Sequence, residues 1–361
     1  MTTSALARVR DETGHTHALG LVRVGLGALL AYEALSAIVA LGRDGYWGDT
    51  FHLALVPEAL VPSRRLYASL LVAELALSLL VIVGRRAREA LLSVTLLGAY
   101  LALCDRIRLH NNQWALLCYG FLLSFAPCDR TFVVRRKGAP PPSSIGPLWA
   151  QRLVQAQLSL IYLASGGAKL FDRDWRDGFV LGDRIARYGN EAVKHGVPEG
   201  FVEFLAQPEV SSAISKLAIA TELLLAIALW LPKTRVPALW WGLMFHLTIE
   251  VTQSVEIFTW LTLTIYSLFA RTDHRARTLV HHPTRGRTVM RVVRALDWLA
   301  RFEIVADERE ATFTVVRRDG SRVRGALATA ELFRALPLLF ALWPPIAALA
   351  ALSSRRVAIQ G

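Results

Sequence analysis

The chain has 361 residues, of which 53% are hydrophobic and only 19% charged, with a mean hydropathy of +0.37. That is too apolar for an ordinary soluble domain of this size, and the apolar residues come in long blocks, so the sequence reads as a multi-pass membrane protein. The net charge of +12 fits positive loops facing an anionic inner leaflet. Nucleic acid is not an expected partner, because the basic residues do not gather in one soluble patch.

Residues 1–17 are polar and mixed in charge and are expected to form a cytoplasmic N-terminal segment. The first apolar block, about 18–42, is too long for a signal-peptide core and carries Arg23 and Glu33, so it reads as a retained first membrane helix. Seven further spans are expected near 66–84, 89–104, 113–128, 150–168, 212–232, 236–252 and 254–270. Several are shorter than the roughly 20 residues a perpendicular crossing needs, which tilting or burial in the bundle can accommodate. With eight spans, the basic clusters Arg85–Arg88, Arg130–Lys137, Lys233–Arg235 and Arg271–Arg277 all fall on one side, together with both termini. The positive-inside rule makes that side cytoplasmic, and a bacterial inner membrane is the expected location.

The other side receives 43–65, 105–112, the long loop 169–211 and a tight turn near 253. The cytoplasmic linker Lys137-Gly-Ala-Pro-Pro-Pro-Ser-Ser divides the bundle into four spans and four spans. The expected fold is therefore an all-α membrane bundle over 18–270. A small α/β domain follows at 271–361, with a helix over Val289–Phe302, a strand over Ala311–Arg317, a hairpin turn at Asp319-Gly320 and a helix from about Thr329. The closing apolar run Leu336–Leu352 contains Pro337, Pro344 and Pro345, which favours helices packed on the small domain or lying at the interface over a ninth span.

Ionisable groups inside spans are costly and usually face the bundle interior. Here they are Glu33, Glu74, Lys216, Glu222, His246 and Glu250. His246 and Glu250 are four apart and share a helix face, which suits either a helix-packing pair or a proton relay. No HxxxH or HExxH pattern accompanies them, so no metal is expected. A second polar cluster, His110-Asn111-Asn112-Gln113-Trp114, opens the fourth span on the same side as Lys169. It suits recognition of carbonyl or hydroxyl groups, or simply a helix start with an interfacial tryptophan. Cys104, Cys118 and Cys128 form no CxxC pair and read as small apolar side chains.

The run Tyr162-Leu-Ala-Ser-Gly166-Gly167-Ala-Lys169-Leu-Phe-Asp-Arg-Asp-Trp175-Arg-Asp-Gly178 resembles the core motif of the HTTM family, which includes the membrane domain of vitamin K-dependent γ-glutamyl carboxylase. The stretches His110-Asn111-Asn112-Gln113-Trp114 and Phe245-His246-Leu247 fit two further motifs in order, and the resemblance covers about 15–270. It implies a membrane enzyme of lyase or oxidoreductase type using a reduced, vitamin K-like quinone. Lys169 would be the base and His246 a second catalytic residue, with Asn111, Asn112, Gln113, Gly166, Gly167 and Trp175 around the cofactor. A lysine serves as a base near neutral pH only where its charged form is disfavoured. The implied partners are membrane lipids and a small secreted peptide. Three departures stand out: Ala168 and Gln113 replace a lysine and a histidine of the family pattern, and there is no large lumenal domain.

The tail, Val293-Arg-Ala-Leu-Asp297-Trp through Phe302, then Arg318-Asp-Gly320 and Gly325–Pro337, resembles the thioredoxin-like DCC family. The Asp-Gly-x-Cys-x-x-Cys motif is missing near His281–Met290, which makes the domain a degenerate one. Three readings stand side by side: a quinone-dependent or lipid-dependent membrane enzyme with Lys169 as base, a non-catalytic membrane protein that binds a lipid or peptide with Lys169 snorkelling to the interface, and a thiol-redox membrane protein using the three cysteines.

Overall fold

A computed structural model describes residues 5–43, 54–104, 110–135, 137–138, 140, 142–194, 196–253, 257–270 and 275–360. The expected turn near 253 and most of loop 105–112 lie outside the described residues, as does part of loop 43–65. The chain opens with α1 (Ala5–Asp11) and β1 (Thr13–His15). The bundle then follows: α2 (His17–Arg43), α3 (Arg64–Val83), α4 (Ala87–Cys104), α5 (Asn111–Ser124), β2 (Ile145–Pro147) and α6 (Trp149–Phe171). It continues through α7 (Arg173–Arg176), α8 (Phe179–Lys194), α9 (Glu199–Ala206), α10 (Pro208–Ala228), α11 (Arg235–Gln253) and α12 (Ile257–Tyr266).

Eight of these helices occupy the segments expected to be apolar spans. Among the described residues four are long and apolar enough to cross a membrane: α2 over His17–Leu41, α3, α4 and α10. Helix α6 is as long, but its buried face is polar. Gln151 and Gln155 each donate to the Leu268 carbonyl at 2.8 Å, and Ser159 accepts from Trp230 at 2.8 Å, while Leu153, Leu160 and Leu163 point outward. An apolar exterior over a hydrogen-bonded interior is the arrangement a lipid-facing helix requires.

Arg23 settles one end of the bundle. It is fully buried in α2 and donates to five backbone carbonyls: Val81 and Ile82 at the end of α3, and Cys128, Thr131 and Phe132 in the segment after α5. The antiparallel β1–β2 pair lies at the same end and ties the start of α2 to the start of α6. Lys169, near the C-terminus of α6, is therefore at the opposite end.

Several boundaries differ from expectation. The fourth span ends at Ser124, before Pro127, where the proline ring cannot continue a helix. The stretch 169–211 is not an open loop: α6 runs on through Phe171, and α7, α8 and α9 fold over the bundle end, α8 burying Leu181, Ile185 and Ala192 on one face. Lys216 is exposed on α10, so it does not face the interior as expected.

The tail is β3 (Arg277–His281), α13 (Arg287–Leu296), β4 (Phe302–Ala306), β5 (Phe313–Val316), β6 (Arg322–Arg324), α14 (Gly325–Ala335) and α15 (Trp343–Gln360). The helix expected over Val289–Phe302 stops at Leu296 because the Asp297 carboxylate accepts from the Arg301 and Phe302 amides and turns the chain into β4. The sheet order is β4-β3-β5-β6, with β3 and β4 parallel and the other pairs antiparallel. Leu279, Val293, Phe302, Val315, Leu332 and Leu336 make its core. Pro337 starts a 3-10 turn and Pro344–Pro345 fall in the first turn of α15, positions that need no backbone N–H. The tail touches the bundle where Trp240 of α11 donates to the Ala341 carbonyl at 2.9 Å.

Candidate functional site

The buried face of α6 steps through Gln151, Gln155, Leu158, Tyr162 and Gly166 at intervals of three or four, and Lys169 comes next on that side. Its ammonium does not snorkel outward. Nζ lies 2.5 Å from Glu222 Oε1 of α10 and donates to Ser165 Oγ at 2.8 Å, with 18% of the lysine side chain and 9% of the glutamate exposed. A Cβ at Gly166 would meet Leu223 and Glu222 at 3.0–3.2 Å, so the glycine sets how closely α6 and α10 approach. Around Gly167 the corresponding space is open.

The residues after Lys169 fold back over it. Leu170 and Phe171 face outward, and Asp172 caps α7, its carboxylate accepting from the Asp174 amide at 2.9 Å. This turn brings the Trp175 ring over the Lys169 ammonium at 5.0 Å, and Arg184 of α8 lies 5.4 Å from the same ring. Gly178 has φ +83°, and a Cβ there would lie 2.3 Å from the Ser212 amide, so the chain between Trp175 and α8 can press onto α10 only with a glycine. Gly166, Asp172, Trp175 and Gly178 of the motif thus each have a local physical reason.

Deeper in the bundle is a second polar chain. The Tyr162 hydroxyl lies 2.7 Å from His246 Nε2 and 2.5 Å from the Tyr266 hydroxyl, all three side chains buried. Phe245 and Phe258 flank the imidazole. Glu222 Oε2, His246 Nδ1 and Glu250 Oε2 are among the buried atoms with no hydrogen-bond partner among the described residues. His246 and Glu250 share a helix face as expected, yet His246 hydrogen-bonds across the bundle to Tyr162.

Asn111, Asn112 and Gln113 open α5 at the Lys169 end, Asn111 exposed and the other two half-buried, and neither Lys169 nor His246 takes a hydrogen bond from them. Tyr266 and Ser165 carried no signal in the sequence. Glu222 was visible as an ionisable residue in a span, but its pairing with Lys169 was not. Among the described residues no three of His, Cys, Asp or Glu gather as metal ligands. All three cysteines are free, and Cys104 and Cys128 lie at opposite ends of the bundle. Burial pushes the Cys128 thiol up to about 12, so it holds little thiolate at neutral pH.

Residues 12–274 match the HTTM domain. The chain belongs to the HTTM domain family. HTTM proteins are a membrane-associated family related to the vitamin K-dependent carboxylase. No curated protein and no solved structure matches this HTTM chain. The matched region spans α2 to α12 and so contains both polar chains, while the tail sheet lies beyond it.

Proposed function

We propose that this HTTM protein is a membrane enzyme that removes a proton from a reduced quinone or a lipid-like cofactor, with Lys169 as the base. The observation that carries the reading is the Lys169–Glu222 pair, buried at one end of an apolar bundle with one carboxylate oxygen unmatched. A fixed ammonium next to a carboxylate is a poor base as it stands. Glu222 Oε1 is within reach to take one proton from the ammonium, which would leave a neutral amine. The 2.5 Å contact supplies the route for that transfer. Lys169 then accepts one further proton and returns to the ammonium form.

The residues present fit a flat hydroxyl-bearing ring. Gly167 borders open space, Trp175 offers an aromatic face beside Lys169, and Glu222 Oε2 is an unmatched acceptor. A reduced quinone, when bound, supplies an acidic hydroxyl and two electrons. Trp175 and Gly167 would orient it, Glu222 would accept its hydrogen bond, and Lys169 would take the proton. Asn112 and Gln113 would line the same end of the bundle. His246 enters through Tyr162, whose hydroxyl it fixes. The small secreted peptide remains the expected acceptor of the resulting chemistry.

We extend the proposal to eight spans with both termini in the cytoplasm of a bacterial cell. The support is the set of eight antiparallel helices and the basic clusters at the Arg23 end. We read the tail as a degenerate DCC-like unit. Its β3–α13–β4 crossover with an added β5–β6 hairpin supports a thioredoxin-like order. The β3-to-α13 segment, where a thiol pair would sit, is His282-Pro-Thr-Arg-Gly286.

The test is a pH titration of a vitamin K-type hydroquinone bound to purified protein, followed by absorbance. Wild-type protein is expected to ionise the hydroxyl at lower pH than free solution does, and Lys169→Met to abolish that shift while retaining binding. A titration identical with and without saturating protein overturns the reading.

A further inference from the structure

The buried chain of Tyr266, Tyr162 and His246 spans three helices: the 2.5 Å contact joins α12 to α6 and the 2.7 Å contact joins α6 to α11. Proton-carrying side chains inside an apolar bundle are costly, and chains of them mark proton paths. Each end of this chain leads on.

One end points to the Lys169 site. Tyr162 and Lys169 are two turns apart on the same side of α6, about 10 Å along its axis. Thr221, the neighbour of Glu222, accepts from Trp241 at 3.0 Å, so α10 lies beside α11 one turn before His246. Lys169 and Glu222 are close enough for their charges to act on His246 and Tyr162. Here His246 Nδ1 and Glu222 Oε2 are both buried with no hydrogen-bond partner among the described residues. An ordered water between them would satisfy both atoms.

The other end points to solvent on the far side. Tyr266 lines a cavity of about 930 Å³ between the bundle and the tail domain. Its hydroxyl lies against Gly242 of α11, where an added Cβ would collide with it. Leu239 and Leu243, on either side of Gly242, line the same cavity, and so does Asp319 of the tail, which is exposed. Phe132 also lines it, and its carbonyl accepts from Arg23, so the cavity is at the end opposite Lys169.

We infer that His246, Tyr162 and Tyr266 are a proton relay between the Lys169–Glu222 pair and this cavity. The hydroxyl hydrogens can run either way along the chain. With Nε2–H donating to Tyr162 and Tyr162 to Tyr266, a proton arriving at Nδ1 releases the Nε2 proton to the Tyr162 oxygen. The Tyr162 proton passes to Tyr266, and the Tyr266 proton leaves to water in the cavity. Each atom gains one bond to hydrogen as it loses one, so all three groups end neutral and one proton has crossed. Rotation of the hydroxyls and a flip of the imidazole restore the start. Gly242 is a positioning residue, since it lets the Tyr266 hydroxyl reach Tyr162. The inference stands whether or not Lys169 takes its proton from a quinone.

Proteoliposomes of the full chain with a trapped pH dye, under an inside-negative potassium diffusion potential, test it. Wild type should acidify the lumen several-fold faster than protein-free vesicles. Tyr266→Phe, which removes one hydroxyl and keeps the ring, should fall to the protein-free rate, as should Tyr162→Phe and Gly242→Ala. Wild type at the protein-free rate overturns the inference and needs no variant to fold. A Tyr266→Phe protein that conducts like wild type overturns it too. So does sodium crossing as readily as protons, which would mean a water-filled pore. The test uses no quinone, so its failure leaves the Lys169 reading standing, and a failed hydroquinone titration leaves the relay standing.

Discussion

Lys169 Nζ and Glu222 Oε1 lie 2.5 Å apart, on helices whose pairing residues are 53 positions apart in sequence. The contact turns a lysine that could have reached the membrane surface into half of a buried ion pair. Removing one half leaves a charge with nothing to answer it, and breaking a buried pair destabilises by about 3 kcal/mol or more. Glu222→Gln and Lys169→Met should each lower the unfolding temperature of detergent-solubilised protein. The double variant Lys169→Met/Glu222→Leu should recover most of the loss. Equal and additive losses would show that the two side chains do not meet.

Arg23 makes the prediction at the other end. Its side chain serves five carbonyls, so Arg23→Leu should orphan several buried acceptors at once and destabilise by about 3 kcal/mol or more. Arg23→Lys should restore little, because a single ammonium cannot span acceptors on two segments. Yield of folded protein and thermal unfolding read the difference, and a stable Arg23→Leu variant would contradict this account.

Tyr162 holds two hydroxyl hydrogen bonds and Tyr266 holds one of them. Tyr162→Phe should therefore cost more than Tyr266→Phe, on the order of 1–3 kcal/mol, since it also strands His246 Nε2. The double variant should fall short of the sum by the energy of the shared bond. Additivity in a double-mutant cycle would mean that the three groups do not act as a chain.

Cysteine labelling separates the thiol-redox reading from the others. The Cys128 thiol is raised above its ordinary value of 9.0 to about 12 by burial, so its neutral form dominates at every pH below that value. Its maleimide reactivity in the folded protein should be slow at pH 7 and rise about tenfold per pH unit, and unfolding should abolish the protection. A triple Cys→Ser variant should keep wild-type behaviour. Fast labelling of folded Cys128 at pH 7 would revive the thiol reading.

The motif around Lys169 was legible because its chemistry is local. Two glycines, a lysine, a capping aspartate and a tryptophan within ten residues already announce a helix end that is not an ordinary one. The tail hairpin was legible for the same reason: Asp319-Gly320 has few other uses, and Gly320 does adopt φ +80° between β5 and β6. The stretch 169–211 was misread because its helices α7 to α9 are amphipathic and charge-balanced. Nothing but the bundle surface beneath them distinguishes such a segment from a loop.

The sequence by itself determined the class of this protein and the order of its helices, because hydropathy and charge are properties of segments and need no partner to be read. It also marked which residues were out of place in an apolar helix. Only the tertiary structure decided what those residues do. The spacing of His246 and Glu250 suggested a pair on one helix, but His246 joins Tyr162 on another. Lys216 and Glu222 looked equivalent on α10, yet one faces outward and the other meets Lys169. Which face of a helix meets which neighbour depends on the packing of segments far apart in the chain, and one sequence carries no measure of that.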